Sequence, residues 1–152
     1  MMKSIGEKLS GELGLDQDGN VWTWEAFKGT KVVLYFYPKD NTPGCTVQAC
    51  NLRDDYVYLQ EMGFKIIGVS ADEQKKHQKF IEKYNLPFPL ISDVDKKLIQ
   101  EFGVWGPKKF MGKEYEGIHR TTFIISQDGI IESVIKKVKT KEHSKQIIEN
   151  LK

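Results

Sequence analysis

Cys45 and Cys50 are the only thiols of the chain, and they lie five positions apart in "YPKDNTPGCTVQAC", directly after the apolar run "VVLYFY". Two thiols so placed can do redox chemistry, bind a metal, or sit together by coincidence. Zinc calls for four ligands, and His77, His119 and His143 show no spacing that completes a site with a C-x4-C pair, so no metal is expected. A free thiol with pKa ~8.5 is about 3% ionised at pH 7, whereas a pKa near 6 makes it about 90% ionised, and the thiolate is the nucleophile. That difference is about 3.4 kcal/mol, more than a helix end alone supplies. A reactive cysteine in this loop therefore needs a cation close by.

The elements that must position the loop are legible around it. "KVVLYFY" is a continuous β-branched and aromatic run, the pattern of a central strand buried on both faces. Residues 43–61 carry Val47, Leu52, Tyr56 and Leu59 at roughly helical intervals, with Thr42 as N-cap, Pro43 at the first helical position and Gly63 as the stop. Thr42, Pro43, Gly44 and Cys45 then occupy a helix N-terminus, where unpaired N–H groups and the macrodipole favour an anion such as a thiolate. "FKIIGVSA" reads as a second buried strand, and Asp72 as the cap of a helix over "EQKKHQKFIEKYN" that Pro87 forbids from continuing.

"LDQDGNVWTW" reads as two short strands about Asp18-Gly19, "FPLIS" as a short strand and "DVDKKLIQEFG" as a short helix ended by Gly103. "RTTFIIS" and "IIESVIKKV" are two strands about Asp128-Gly129, and "KEHSKQIIENLK" a last helix. Strands alternating with helices predict an α/β fold, with chemistry in the crevice beyond the carboxyl ends of the strands. The strand over 31–37 empties straight into the cysteine loop.

Bulk properties agree with one ordinary domain over residues 1–152: 39% apolar and 29% charged residues suit a packed globule. A net charge of +2 gives no field that argues for nucleic acid or anionic membrane. No apolar run approaches the ~20 residues a spanning helix needs, and residues 1–20 lack a basic-then-apolar leader pattern. The expectation is a cytoplasmic protein, a compartment that disfavours structural disulfides.

Pro38, Thr42 and Cys45 in "PKDNTPGC" match the P-x-x-x-T-x-x-C signature of the peroxiredoxins, and "YPKDNTPGCTVQACNLRD" is similar to their peroxiredoxin Q, or bacterioferritin comigratory protein, subfamily. The likeness continues through "GVSAD", "KFIEKYNLPFPLISD", "FGVWG" and "IHRTTFII", over about residues 16 to 143. It implies a thioredoxin-like fold, a central mixed β-sheet flanked by helices. It further implies thiol peroxidase activity on hydrogen peroxide and organic hydroperoxides, no metal or organic cofactor, thioredoxin or a similar dithiol as reductant, and a monomer.

In those roles Cys45 is the nucleophile that becomes a sulfenic acid, and Arg120 is the cation that holds the thiolate and steadies charge as the O–O bond breaks. Thr42 supplies a hydroxyl to the peroxide, and Pro38, with no backbone donor, shields the sulfur. Gly44 and Cys45 turn N–H groups toward the site, and Gln48 stands where the resemblance implies a side chain that orients the arginine. Cys50 is the resolving thiol in family members with this spacing. Residues five apart on an ideal helix have Cα atoms roughly 8.7 Å apart, and a disulfide tolerates up to about 7 Å, so that pairing requires the first helical turns to unwind.

Each residue also has a packing role open to it. Cys50 alone reads first as an inert buried thiol, Thr42 as a plain N-cap, and Trp105 as a core plug. His77 and His143 sit among charged helical residues and are expected in solvent, as is the lysine-rich stretch 136–145; strand alternation turns His119 away from Arg120. A thioredoxin-type dithiol oxidoreductase and a peroxide-sensing switch are the rival functions. The first calls for C-x-x-C and a proline before the "IHRTTF" strand, and neither is present. The resemblance also departs at the amino-terminal end: "GEKLSGELGLDQDG" lacks the P-x-F pattern of family members, which leaves residues 1–15 without an expected anchor.

Overall fold

The molecule is described here from a computed structural model, over residues 2–150. The expected "KVVLYFY" strand is β3, Lys31–Phe36, the middle of a five-stranded sheet. On one side it pairs in parallel with β4, Phe64–Ser70, which pairs in parallel with β5, Leu90–Ser92. On its other side lies β8, Thr121–Ile125, antiparallel to β3, and then β9, Ile131–Ile135, antiparallel to β8. The parallel pairs need helical crossovers. Helices α1, Pro43–Asp54, and α2, Tyr56–Glu61, join β3 to β4, while α3, Gln74–Tyr84, joins β4 to β5. Two short helices complete the set, α4, Lys97–Glu101, and α5, His143–Glu149. The last helix expected from sequence ran to Lys152, and its final two positions lie outside the described residues.

Alternation along β3 divides the core. Val32, Leu34 and Phe36 enter one apolar cluster with Ile67, Val69, Leu98, Phe102 and Phe123. Val33, Tyr35 and Tyr37 enter the other, with Cys45, Ala49 and Leu52 of α1, Leu59 of α2, Phe80 of α3 and Ile147 of α5. The cysteine loop thus crosses from the end of β3 onto the face that carries α1.

The first cluster also answers the question of the amino-terminal anchor. Leu9, together with Leu13 of β1 (Glu12–Leu15), is buried in it beside Trp24 and Phe27. The Leu9 N–H bonds the Gly129 carbonyl at 2.8 Å, and Lys8 bridges Ile130, so the segment leans on the turn before β9. β1 pairs with β2, Val21–Thr23, about the expected turn at Gly19.

Three local expectations are corrected. The 43–61 helix is two helices broken at Asp55, and its buried face is Cys45, Gln48, Ala49 and Leu52, with Val47 turned to solvent. Asp72 does not cap α3; the cap position is Glu73, and the Asp72 carboxylate turns inward to Ser70 and the Asp40 N–H. His77 and His143 are fully buried, each with both ring nitrogens hydrogen-bonded. A hairpin absent from the sequence reading, β6 (Trp105–Phe110) with β7 (Lys113–Ile118), closes through Met111 and Gly112, both at positive φ.

Candidate active site

The β3–α1 loop leaves the sheet at its carboxyl edge, and α1 begins at Pro43 with Thr42 in extended conformation at the N-cap position. Thr42 does not cap with its side chain: its hydroxyl donates back to the Lys39 carbonyl at 2.9 Å. The first-turn N–H groups of Gly44 and Cys45 therefore have no capping side chain. The turn keeps its positive character for whatever sits at Cys45.

Cys45 is buried, 2% exposed, which restricts access to small reactants. Arg120, in the two-residue step between β7 and β8, reaches it from across the sheet edge: Nη2 donates to Sγ at 3.4 Å and Nη1 to Gln48 Oε1 at 2.6 Å. A guanidinium only donates, so Gln48 must present its carbonyl oxygen to it. Gln48 is itself wholly buried, and its Nε2 makes no hydrogen bond among the described residues. Gly44 explains how the guanidinium fits, since a Cβ there would lie 3.3 Å from Arg120 Nη2. Cys45, Gly44, Gln48 and Arg120 thus come together at the start of α1.

Cys50 is partly buried and free, like Cys45, and α1 runs unbroken through both. Pro38 is half-buried and borders a cleft with Trp105, Lys108 and Ile118. Trp105 accordingly does two things: it packs against the first core cluster and forms one wall of the cleft, its Nε1 held by Glu116 at 2.9 Å. His119 is exposed and takes no part.

Other groups near the thiol were not foreseen. Lys108 of β6 donates to the Ile118 carbonyl at 2.9 Å; burial, helped by the Arg120 charge, pushes its ammonium below the usual lysine range. Its origin in the unforeseen hairpin hid it. The Tyr35 hydroxyl is buried with no hydrogen bond among the described residues, and burial, with the Cys45 charge adding, holds the phenol well above its ordinary value. Asp40, Asp72 and His77 bring one donor atom each within 4.8 Å of one another. They are occupied with each other and with Tyr37, Ser70 and Ile91, closing a buried network behind the loop.

A thiol on a helix N-terminus, an arginine against its sulfur and a mixed sheet with helices on both faces define a thioredoxin-fold thiol enzyme. The sequence pattern of the AhpC/TSA family matches residues 5–134. The chain is 47% identical to peroxiredoxin Bcp of Bacillus subtilis (strain 168) over 153 residues, 100% of this chain and 97% of that protein. Against peroxiredoxin Bcp of Escherichia coli (strain K12) it is 48% identical over 137 residues, 90% of this chain and 88% of the relative. Among solved structures it is similar to the Xanthomonas campestris bacterioferritin comigratory protein, studied for its alkyl peroxide reduction activity, with a TM-score of 0.86, 34% identity and 96% of each chain covered. The chain belongs to the AhpC/TSA family, as a thiol-dependent peroxidase of the Bcp, or peroxiredoxin Q, type.

Proposed function

We propose that the protein reduces hydroperoxides through a sulfenic acid at Cys45, resolves it with Cys50, and is recycled by thioredoxin or a similar dithiol. The observation that carries this reading is the Arg120 guanidinium shared between Cys45 Sγ and Gln48 Oε1 at the start of α1. The thiolate sulfur attacks the terminal oxygen of the hydroperoxide. The S–O bond forms as the O–O bond breaks, and the departing alkoxide takes a proton from water to leave as alcohol. Arg120 and the first-turn N–H groups stabilise the charge as it moves from sulfur to oxygen. Thr42 accepts the hydroperoxide proton in a hydrogen bond, because its own proton is committed to Lys39. Pro38 limits water and larger oxidants at the loop.

Cys50 then attacks the sulfenic sulfur, the S–S bond forms, and hydroxide leaves. Spacing on an intact α1 forbids that bond, about 8.7 Å between Cα atoms against a limit of about 7 Å, so the helix opens before the disulfide closes. An external dithiol returns two electrons by exchange and restores both thiols. In this reading the protein acts as a monomer of one domain, in the cytoplasm, where free thiols persist.

The test is a coupled assay with thioredoxin, thioredoxin reductase and NADPH. Peroxide-dependent NADPH loss that disappears in Cys45→Ser, together with a 2 Da mass loss after one equivalent of peroxide that disappears in Cys50→Ser, is the expected result. Stoichiometric oxidation without turnover would make the protein a sensor. Reduction of insulin disulfides without peroxide would make it a dithiol oxidoreductase.

A further inference from the structure

Thr42 owes its orientation to a neighbouring peptide group. Its hydroxyl proton goes to the Lys39 carbonyl at 2.9 Å, and a hydroxyl so committed offers only lone pairs on its other side. That carbonyl is one edge of a planar trans peptide whose opposite edge is the Asp40 N–H. The Asp40 N–H donates to Asp72 Oδ2 at 2.8 Å, a buried bond between residues 32 positions apart. Since the two edges of a trans peptide point in opposite directions within one plane, the Asp72 contact fixes the direction of the Lys39 carbonyl. Asp72 is aimed in its turn. Ser70 Oγ donates to the same Oδ2 at 2.7 Å, and Ser92 Oγ holds the Asp72 carbonyl at 2.6 Å.

The Asp40 side chain braces this peptide from behind. The Tyr37 hydroxyl donates to Oδ1 at 2.5 Å, His77 Nδ1 meets Oδ2 at 2.6 Å, and His77 Nε2 faces the Ile91 carbonyl at 3.0 Å. A carbonyl only accepts, so Nε2 carries a proton. Nδ1 and Oδ2 must then hold a second proton between them, because two lone pairs opposed at that distance repel. Among the described residues, none of these groups hydrogen-bonds Cys45 or Arg120. Their hydrogen bonds reach the chemistry through the loop alone among the described residues.

We propose that Asp72 and the Asp40–His77 pair are positioning residues for peroxide reduction, holding the Lys39–Asp40 peptide so that Thr42 presents an acceptor lone pair to the hydroperoxide O–H. The inference rests on the role given to Thr42 under the proposed function and deepens it. The peroxide step depends on the network, while the reactivity of the thiolate, governed by Arg120 and the helix terminus, does not.

The experiment is a double-mutant cycle of Thr42→Val and Asp72→Ala on the full chain. Two readouts are taken on reduced protein: the second-order rate with hydrogen peroxide by stopped flow, and the rate of alkylation by iodoacetamide. Asp72→Ala lowers the peroxide rate by about tenfold, within the range for misplacing a reacting group, and leaves alkylation within roughly twofold. Added to Thr42→Val, it lowers the peroxide rate no further. Asp72→Asn, which keeps an acceptor oxygen, recovers most of the rate. Should Asp72→Ala not fold, Ser70→Ala carries the same cycle with a smaller loss, about threefold. The inference is overturned by losses that add in the double variant, by parallel slowing of alkylation, or by a wild-type peroxide rate in Asp72→Ala while Thr42→Val is slow. A wild-type rate in Thr42→Val itself removes the role proposed for Thr42, a separate failure that takes the inference with it.

Discussion

Among the described residues, the first two turns of α1, which carry Cys45, Gln48 and Cys50, reach the rest of the molecule by side-chain hydrogen bonds from one residue, Arg120. The last turn is fastened to backbone. Asn51 Nδ2 donates to the Lys141 carbonyl at 3.0 Å while its Oδ1 accepts from the Ser144 N–H at 2.8 Å. Arg53 Nη1 reaches the Tyr84 carbonyl at 2.7 Å, and Ser144 Oγ donates to Asp55. The difference is one of dependence on chemistry: a guanidinium facing sulfur loses its charged partner when the thiolate is consumed, whereas the Asn51 clamp is indifferent to it. Under the proposed cycle, a single helix therefore contains a stretch that oxidation can release and a stretch that stays put.

Removing Arg120 breaks the reactive half most severely. Arg120→Ala should slow the peroxide reaction by about 10²-fold or more, the usual cost of deleting a donor to developing negative charge, and should also lower the thermal midpoint by an amount worth about 1–2 kcal/mol, because the buried Gln48 Oε1 loses its partner. Stopped-flow oxidation alongside a melting curve measures both.

Acid attacks the anchored half instead. His143 is buried with Thr122 Oγ1 at 2.8 Å and Gln146 Oε1 at 3.0 Å, and burial, reinforced by the Arg120 charge and only partly opposed by the Gln146 bond, lowers its pKa from 6.5 to about 4. The unfolded chain binds this proton first. The neutral imidazole's contribution is thus fully present above pH 6.5 and is lost as the pH falls toward 4, by up to about 3 kcal/mol. Urea unfolding of the wild type and of His143→Gln across that window should show a shallower pH dependence in the variant.

Cutting the clamp comes next. Asn51→Ala leaves the Ser144 N–H and the Lys141 carbonyl without their partner and should cost about 2 kcal/mol of stability in urea unfolding, with the peroxide rate within roughly twofold of wild type. The smallest effect expected is from Gly44→Ala, whose new methyl would press on Arg120 Nη2 from 3.3 Å. The peroxide rate should fall about threefold while stability holds, because the guanidinium yields by a few tenths of an ångström.

Much of this arrangement was legible in the sequence because it depends on strong local patterns. β3, β4 and β8 are dominated by β-branched and aromatic residues, and the turn at Asp128-Gly129 and the start of α1 at Pro43 are marked by residues with one conformational meaning. Arg120 could be expected beside Cys45 on electrostatic grounds and by resemblance. The β6–β7 hairpin escaped because its side chains are largely exposed on both faces, leaving no alternation to read, and its turn is Met-Gly instead of a residue pair with a firm preference. His77 and His143 were misjudged from their charged neighbours. Spacing was the better guide: His77, Phe80, Ile81 and Tyr84 recur at intervals of three and four, and His143 shares a face with Ile147. Asp72 looked like a cap because cap residues and buried network residues are the same types. Only tertiary structure, which brings Asp40 to it from 32 positions away, distinguishes the two.

The claim that binds site, helix and function together is that oxidation opens α1 in its first two turns and no further. Amide hydrogen exchange read by mass spectrometry, on reduced protein and on protein treated with one equivalent of hydrogen peroxide, tests it directly. Because each helical N–H bonds the carbonyl four residues back, opening residues 43–50 should strip protection from the amides of residues 46–54, whose acceptors lie at 42–50, while the Asp55 N–H on the Asn51 carbonyl and the Ser144 N–H on Asn51 Oδ1 stay protected in the oxidised, disulfide-bonded form. A Cys45–Cys50 disulfide with the amides of residues 46–54 still protected, or loss of protection that extends to the Asp55 and Ser144 amides, would contradict it.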